Sequence, residues 1–201
     1  ADPAPIRVEL GLRPDELLVA MVANFRWEKD HVTALRALAQ CRERRRLRLL
    51  LLGGGHGPGE HEAQARRAAE TLGISDQVIF AGVRHDIPEV LAACDLGLLS
   101  SCRESGPLAL LEYLAAGLPF ASNRVGEIVD ELAVDGEGRI GFFAPPQEPA
   151  ALAAALDRLA GLQDEERLQM GREGRALVLR EYDQRHTARR LSGIYRQVLQ
   201  W

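Results

Sequence analysis

The chain alternates between two kinds of apolar pattern. Short, continuously apolar runs predict buried strands at residues 16–23, 47–52, 77–81, 95–100, 119–122 and 139–143. Between and after these runs, apolar residues recur every three or four positions. This spacing predicts helices at residues 31–45, 59–72, 87–94, 107–116, 149–159, 164–180 and 183–200.

Strands that are apolar throughout, and that alternate with helices, indicate an α/β fold. We expect a doubly wound, Rossmann-like parallel sheet of about six strands with helices on both faces. Ligands bind to such sheets at the carboxyl ends of the strands. The loops that follow the strands are therefore the expected place for a functional site.

The loop after the fourth strand leads into the predicted helix at residues 107–116. Pro107 suits the first helical turn, and the amides of Leu108 and Ala109 then remain free to bind a phosphate. The expected buried stripe of this helix consists of Leu108, Leu111, Ala115 and Leu118. Glu112 borders that stripe, where its carboxylate can accept hydrogen bonds from both hydroxyls of a ribose. A glutamate on the helix surface without a ligand is the alternative.

Two further loops contain residues that suit phosphate groups. After the first strand, Arg26 and Lys29 provide two cations beside a helix start, which favours a diphosphate. The alternative is a solvated loop in which Asp30 caps the next helix. The glycine-rich turn that begins at Gly53 matches neither the P-loop nor the G-x-G-x-x-G pattern, which favours a flexible turn over dinucleotide binding.

Composition narrows the classes of function. The 201 residues are 46% hydrophobic and 27% charged, as in an ordinary globular domain. The net charge of −4, and the lack of aromatic residues within the arginine run at 42–48, argue against nucleic-acid binding. No apolar run reaches the ~20 residues of a membrane span, and the first residues do not resemble a signal peptide. Three cysteines without a CxxC pair argue against disulfides or a zinc site and favour the cytoplasm.

Taken in order, the loops resemble the C-terminal, donor-binding domain of retaining glycosyltransferases of family 4 (group 1), which have the GT-B fold. The strongest element is an E-x7-E pattern from Glu104 to Glu112, followed by Ala-Ala-Gly-Leu-Pro ending at Pro119. The supporting segments are residues 24–29, 53–55, 81–88, 123–127 and 141–146. The series covers nearly the whole chain.

The resemblance implies that a sugar moves, with retention, from a nucleotide-diphosphate sugar donor to a glycan, lipid or polysaccharide acceptor. Glu104 would then face the donor sugar, Arg26 and Lys29 would neutralise the leaving phosphate, and Glu112 would hold the ribose. The other implied nucleotide-binding residues are Gly54, Val83, Arg84, Gly106, Pro107 and Leu108. Neither a metal nor another cofactor is expected. Pro107 departs from the usual pattern and removes one amide from the diphosphate site.

The family has two Rossmann-like domains, and the chain matches one. Residues 1–14 are expected to be an interdomain linker, residues 15–181 the donor-binding domain, and residues 182–201 a helix that crosses back to an N-terminal, acceptor-binding domain. On this interpretation the chain is inactive alone and self-associates weakly through the exposed helix. The resemblance also allows the full protein to associate peripherally with a membrane.

Two alternatives remain open at this point. One is a non-catalytic nucleotide- or partner-binding module, and the other is a fragment of an enzyme similar to nucleotide-sugar 2-epimerases. A binding module has no need of Glu104, so the presence of both Glu104 and Glu112 favours the transferase.

Overall fold

The computed structural model describes residues 2–54 and 59–199, which form a parallel sheet with helices on both faces. Within these ranges the strands are β1 (Leu17–Val22), β2 (Leu47–Leu52), β3 (Val78–Gly82), β4 (Leu96–Leu99), β5 (Phe120–Asn123) and β6 (Gly141–Ala144). Their order in the sheet is β3-β2-β1-β4-β5-β6, and every neighbouring pair is parallel. The doubly wound α/β fold is therefore confirmed, and the order reverses between β1 and β4.

The helices of the same ranges connect the strands and close the chain. They are α1 (Ala4–Glu9), α2 (His31–Gln40), α3 (Glu60–Thr71), α4 (Ile87–Ala92), α5 (Leu108–Ala116), α6 (Glu127–Gly136), α7 (Pro149–Ala160), α8 (Asp164–Glu181) and α9 (Gln184–Val198).

Alternate residues of the central strands enter two separate cores. Leu17, Val19 and Met21 of β1 pack with α2, α3 and α7 on one face of the sheet. Leu18 and Ala20 pack with α4, α5, α6 and α8 on the other face. Because both faces are covered, both sets of side chains are apolar, and the strands read as unbroken apolar runs.

The second predicted helix, at residues 31–45, is wrong in its last part. α2 ends at Gln40, Cys41 is extended, and residues 44–46 form a separate 3-10 turn. The cause is Asp157 of α7, whose carboxylate accepts hydrogen bonds from the backbone amides of Arg42 at 2.9 Å and Glu43 at 3.2 Å. These bonds draw the chain out of the helix.

The predicted buried stripe of α5 is wrong in part: Leu108 and Ala115 are exposed, whereas Leu118, just beyond the helix, is buried as predicted. The buried residues are Leu110, Tyr113 and Leu114, whereas Leu108 is 66% exposed. Tyr113 fixes this rotation, because its hydroxyl accepts from the Val22 amide at 2.7 Å and donates to the Leu98 carbonyl at 3.1 Å. The space for its ring exists because residue 97 is glycine: a Cβ there would lie 2.4 Å from the ring.

The apolar pattern does not predict α1 or α6. α1 lies within residues 1–14, and its Ile6 packs against the second core while Arg7 pairs with Asp95 at 2.9 Å. The assignment of residues 1–14 as an interdomain linker stays a prediction. α6 follows Gly126 and contributes Val129 and Leu132 to the same core.

α9 presents an apolar stripe to solvent. Leu191, Ile194, Tyr195 and Val198 share one face of the helix by their spacing, and all four are exposed. The assignment of residues 182–201 as a helix that crosses to another domain stays a prediction.

We expect the chain to self-associate weakly through this stripe, because contiguous apolar surface favours burial against a second copy. Light scattering over a concentration series measures the change in average mass. The double substitution of Leu191→Gln and Tyr195→Gln should restore a monomer without lowering the melting temperature. A wild-type chain that stays monomeric at high concentration would contradict the prediction.

Candidate functional site

A cleft of about 430 Å³ opens at the carboxyl ends of the central strands. Val22 and Leu52, the last residues of β1 and β2, lie at its base. The cleft is located where the strand order reverses between β1 and β4, which is the position at which doubly wound sheets bind ligands.

Most of the predicted site residues meet in this cleft. Those that line it are Lys29, Gly54, Val83, Arg84, Glu104, Gly106, Pro107, Leu108 and Glu112. Arg26 is exposed and is not among the lining residues. The structure therefore brings together the predicted residues with the exception of Arg26.

Lys29 and Glu104 form an ion pair at the side of the cleft. The side chains are 27% and 11% exposed, so the carboxylate is held largely out of water. The hydroxyl of Ser101 donates to the same carboxylate oxygen, Oε1, at 2.7 Å. A charge in such surroundings requires partners of this kind, and the two donors provide them.

Three buried polar residues behind this pair were not assigned to the site by the sequence analysis. Ser100 and Ser101 follow β4, and Asn123 ends β5. All three are 0% exposed. In the sequence these polar residues directly follow apolar runs at the ends of two strands. A prediction based on apolar runs takes such residues as the strand ends and does not mark them as candidate site residues.

The start of α5 faces the cleft. Pro107 is the residue before the helix and not its first residue, so α5 begins at Leu108. The amides of Leu108 and Ala109 lie in the first turn, where no carbonyl of the same helix can accept from them. Both residues line the cleft, which makes this helix start a suitable place for an anion.

Glu112 projects into the cleft one turn further along α5. Desolvation raises the pKa of its carboxyl group above the ordinary value. A ligand that donates hydrogen bonds to this carboxylate would replace the lost contact with water.

The opposite end of the cleft is formed by the loops after β2 and β3. The Gly54 amide donates to Asn24 Oδ1 at 3.1 Å, and a Cβ on Gly54 would lie 2.8 Å from Val83. The guanidinium of Arg84 forms ion pairs with Asp86 at 2.6 Å and with Glu9 at 2.5 Å. The rest of the glycine-rich turn, residues 55–58, lies outside the described residues.

His31 has a structural role. His31 is buried and stacks on Phe25 with 4.3 Å between ring centroids. Burial lowers its pKa to about 4, so the ring is neutral at pH 7.

Across residues 2–54 and 59–199, no cluster of three or more His, Cys, Asp or Glu side chains is placed to hold a metal ion. None of the helices described is both long and apolar enough to cross a membrane.

Comparison with known proteins identifies relatives over most of the chain. The family model for glycosyl transferases group 1 matches residues 4–177. N-acetyl-alpha-D-glucosaminyl L-malate synthase of Bacillus anthracis is 29% identical over 199 residues, which cover 98% of this chain and 50% of that protein. D-inositol 3-phosphate glycosyltransferase of Stackebrandtia nassauensis is 30% identical over 207 residues, which cover 99% of this chain and 46% of that protein. The chain thus spans about half the length of these curated relatives.

A similar fold occurs among solved structures. The crystal structure of Anabaena Alr3699/HepE in complex with UDP matches with a TM-score of 0.82 at 24% identity. The match covers 95% of this chain and 52% of that chain. This similarity confirms the Rossmann-like architecture of one half of a GT-B fold.

Proposed function

Because the chain belongs to the group 1 glycosyl transferases, we propose that it binds the nucleotide-diphosphate sugar donor of a retaining sugar transfer. The observation that carries the proposal is the position of the Lys29–Glu104 ion pair, which shares one cleft with the start of α5. A cation and free amides suit a diphosphate, and a largely buried carboxylate beside them suits the hydroxyls of the attached sugar.

Each part of the donor has a matching part of the cleft in this proposal. The diphosphate lies between Lys29 and the first amides of α5. The ribose donates to Glu112, and the base lies against the backbone of the loop at Val83 and Arg84. This order places the sugar beside Glu104. The similarly folded Anabaena Alr3699/HepE forms a complex with UDP, which supports a nucleotide ligand for this chain.

The chemistry follows from where negative charge develops. When the bond between the anomeric carbon and the phosphate oxygen breaks, the diphosphate gains charge. The Lys29 ammonium and the helix start are already in place to stabilise that charge, and such preorganised groups lower the barrier. We propose that the transfer needs no metal ion, since these groups perform the neutralisation that a divalent ion performs elsewhere.

The acceptor of the sugar is not assigned to the cleft described above. We propose that a glycan, lipid or polysaccharide acceptor is bound by a second domain and that the chain is inactive without it. The support is the length of the relatives, of which the chain spans about half. We also propose a cytoplasmic location, which the free cysteines Cys41, Cys94 and Cys102 support.

A panel of nucleotides tests the proposed function. We expect UDP, GDP or ADP, or a sugar conjugate of one of them, to raise the melting temperature in the presence of EDTA. At 100 times its dissociation constant a ligand adds about 2.7 kcal/mol, which corresponds to roughly 5–10 °C for a chain of this size. Differential scanning fluorimetry with and without magnesium measures the shift. No shift with any nucleotide under either condition would contradict the function, and a shift only with magnesium would contradict metal independence.

Substitution of the two glutamates separates their roles. We expect Glu112→Gln to lower the affinity for the nucleoside diphosphate about 10-fold, because the ribose loses a charged acceptor. Glu104→Gln should change that affinity less, since the nucleoside diphosphate has no sugar to meet it. Isothermal titration calorimetry gives both values. Equal losses from the two substitutions would contradict the assignment of Glu112 to the ribose.

A further inference from the structure

The buried polar residues at the ends of β4 and β5 form one hydrogen-bonded path to Glu104. Ser100, Ser101 and Asn123 are wholly buried, although each has polar side-chain atoms that would otherwise be hydrated. Burial of this kind is favourable only when the groups find partners within the protein. The hydrogen bonds that their side chains donate to carbonyls and to Glu104 all end in the two loops that carry Lys29 and Glu104, whereas Asn123 Oδ1 has no hydrogen-bond partner among the described residues.

Asn123 and Ser100 join these loops to each other. The side-chain amide of Asn123 donates to the carbonyl of Ser100 at 2.7 Å and to that of Ser101 at 3.2 Å. The hydroxyl of Ser100 lies 2.9 Å from the carbonyls of both Lys29 and Asp30 and donates to this pair. The turn after β4 is thereby attached to β5 on one side and to the loop after β1 on the other.

Ser101 connects this path to the carboxylate. Its hydroxyl donates to Glu104 Oε1 at 2.7 Å, and the Lys29 ammonium binds the same oxygen. Two donors on one oxygen restrict rotation of the carboxylate. Among the described residues no hydrogen-bond donor reaches Oε2, so the constrained carboxylate has one oxygen left for a ligand.

The network therefore closes a ring. Ser100 holds the backbone of Lys29, the side chain of Lys29 holds Glu104, and Glu104 is held by Ser101, the neighbour of Ser100. A ring of this kind sets the geometry before any ligand arrives, and preorganised groups bind a ligand without a further ordering cost.

We propose that Ser101 is a positioning residue that presents Glu104 Oε2 to a hydroxyl of the donor sugar, with Ser100 and Asn123 holding the two loops in register. This inference rests on the proposed function and deepens it. It assigns Ser101 an effect on the sugar of the donor and not on the nucleotide. If Ser101 had only a structural role, its substitution would weaken the binding of the sugar and of the nucleotide equally, or would lower only the stability of the fold.

The test is the preference of the chain for a sugar-bearing donor over the bare nucleoside diphosphate. The probes are UDP and UDP-glucose, GDP and GDP-mannose, and ADP and ADP-glucose, titrated by calorimetry. In Ser101→Ala we expect the ratio of the two affinities to fall about 10-fold, as for the loss of one hydrogen bond to a charged group. The affinity for the nucleoside diphosphate alone should change less than about twofold.

Matched variants separate positioning from stability. Ser122 is equally buried and its hydroxyl donates to the carbonyl of Asn123 at 2.8 Å, without contact to Glu104. Ser122→Ala should therefore leave the ratio unchanged.

If Ser101→Ala fails to fold by circular dichroism, Ser101→Cys provides a similar volume with only a weak donor. In a Glu104→Gln background the substitution of Ser101 should no longer change the ratio, because it acts through that carboxylate.

The outcomes distinguish the two proposals. An unchanged ratio in the Ser101 variants, or an equal effect with and without Glu104→Gln, would overturn the role of Ser101 and leave the proposed function standing. A wild-type chain that binds each nucleoside diphosphate as tightly as its sugar conjugate would also overturn that role. A wild-type chain that binds none of the six probes would overturn the proposed function and this inference with it.

Discussion

Gly171→Ala is expected to destabilise the fold by about 3 kcal/mol, because α8 lies directly on the end of α5 at this residue. A Cβ at position 171 would lie 1.9 Å from the carbonyl oxygen of Gly117 and 2.9 Å from its carbonyl carbon. No side-chain rotation relieves a contact between Cβ and backbone, so the helices must move apart. That movement would loosen the packing of Leu114, which lies on the buried face of α5. Urea denaturation measures the loss.

A second glycine provides the control for this prediction. Gly193 is also helical, but a Cβ there has no atom within 4 Å. Gly193→Ala should leave the stability unchanged or raise it by up to about 1 kcal/mol, since alanine is the better helix former. Similar destabilisation by both substitutions would show that close packing at Gly171 is not the cause.

The strands were predictable because their pattern is set by burial on both faces. The run at residues 47–52 coincides with β2, whose Leu49 enters one core and Leu50 the other. Apart from Arg48 near its start, this strand presents apolar side chains on both faces, so its apolar pattern does not depend on its register with the neighbouring strands. The sequence alone was therefore sufficient to predict a parallel, doubly wound sheet.

The orientation and ends of the helices depended on contacts that are distant in sequence. The rotation of α5 follows from the Tyr113 ring above Gly97, and the end of α2 follows from Asp157 in α7. Neither contact can be recognised from the local spacing of apolar residues. The same applies to α1, whose Arg7 is held by Asp95 in the loop before β4.

The site was predictable to the extent that it follows from topology. Lys29 follows β1 and Glu104 follows β4, and the two strands are neighbours in the sheet. Their loops had to meet once the strand order was known. The direction of a single side chain within a loop does not follow from topology. Arg26 precedes a 3-10 turn in an extended conformation, and its side chain does not line the cleft.

This difference between Arg26 and Lys29 leads to the largest expected effect on binding. Lys29→Met should lower the affinity for the nucleoside diphosphate identified by the nucleotide panel by about 10–100-fold, as for the loss of a charge-assisted hydrogen bond to phosphate. Arg26→Met removes the same charge from the same loop and should lower the affinity less than about threefold, since its effect is limited to screened attraction through water. Calorimetry at 150 mM salt compares the two variants.

Lys29→Met also leaves the Glu104 carboxylate, only 11% exposed, without its cation. An unpaired charge in that position costs stability, so this variant should melt below the wild type. Adding Glu104→Gln removes the stranded charge and should recover most of the lost stability without restoring the affinity. If the double variant binds as tightly as the wild type, the repulsion between Glu104 and phosphate explains the loss, and Lys29 makes no direct contact. If instead Arg26→Met produces the larger loss, the diphosphate lies outside the cleft, on the exposed side of the loop after β1.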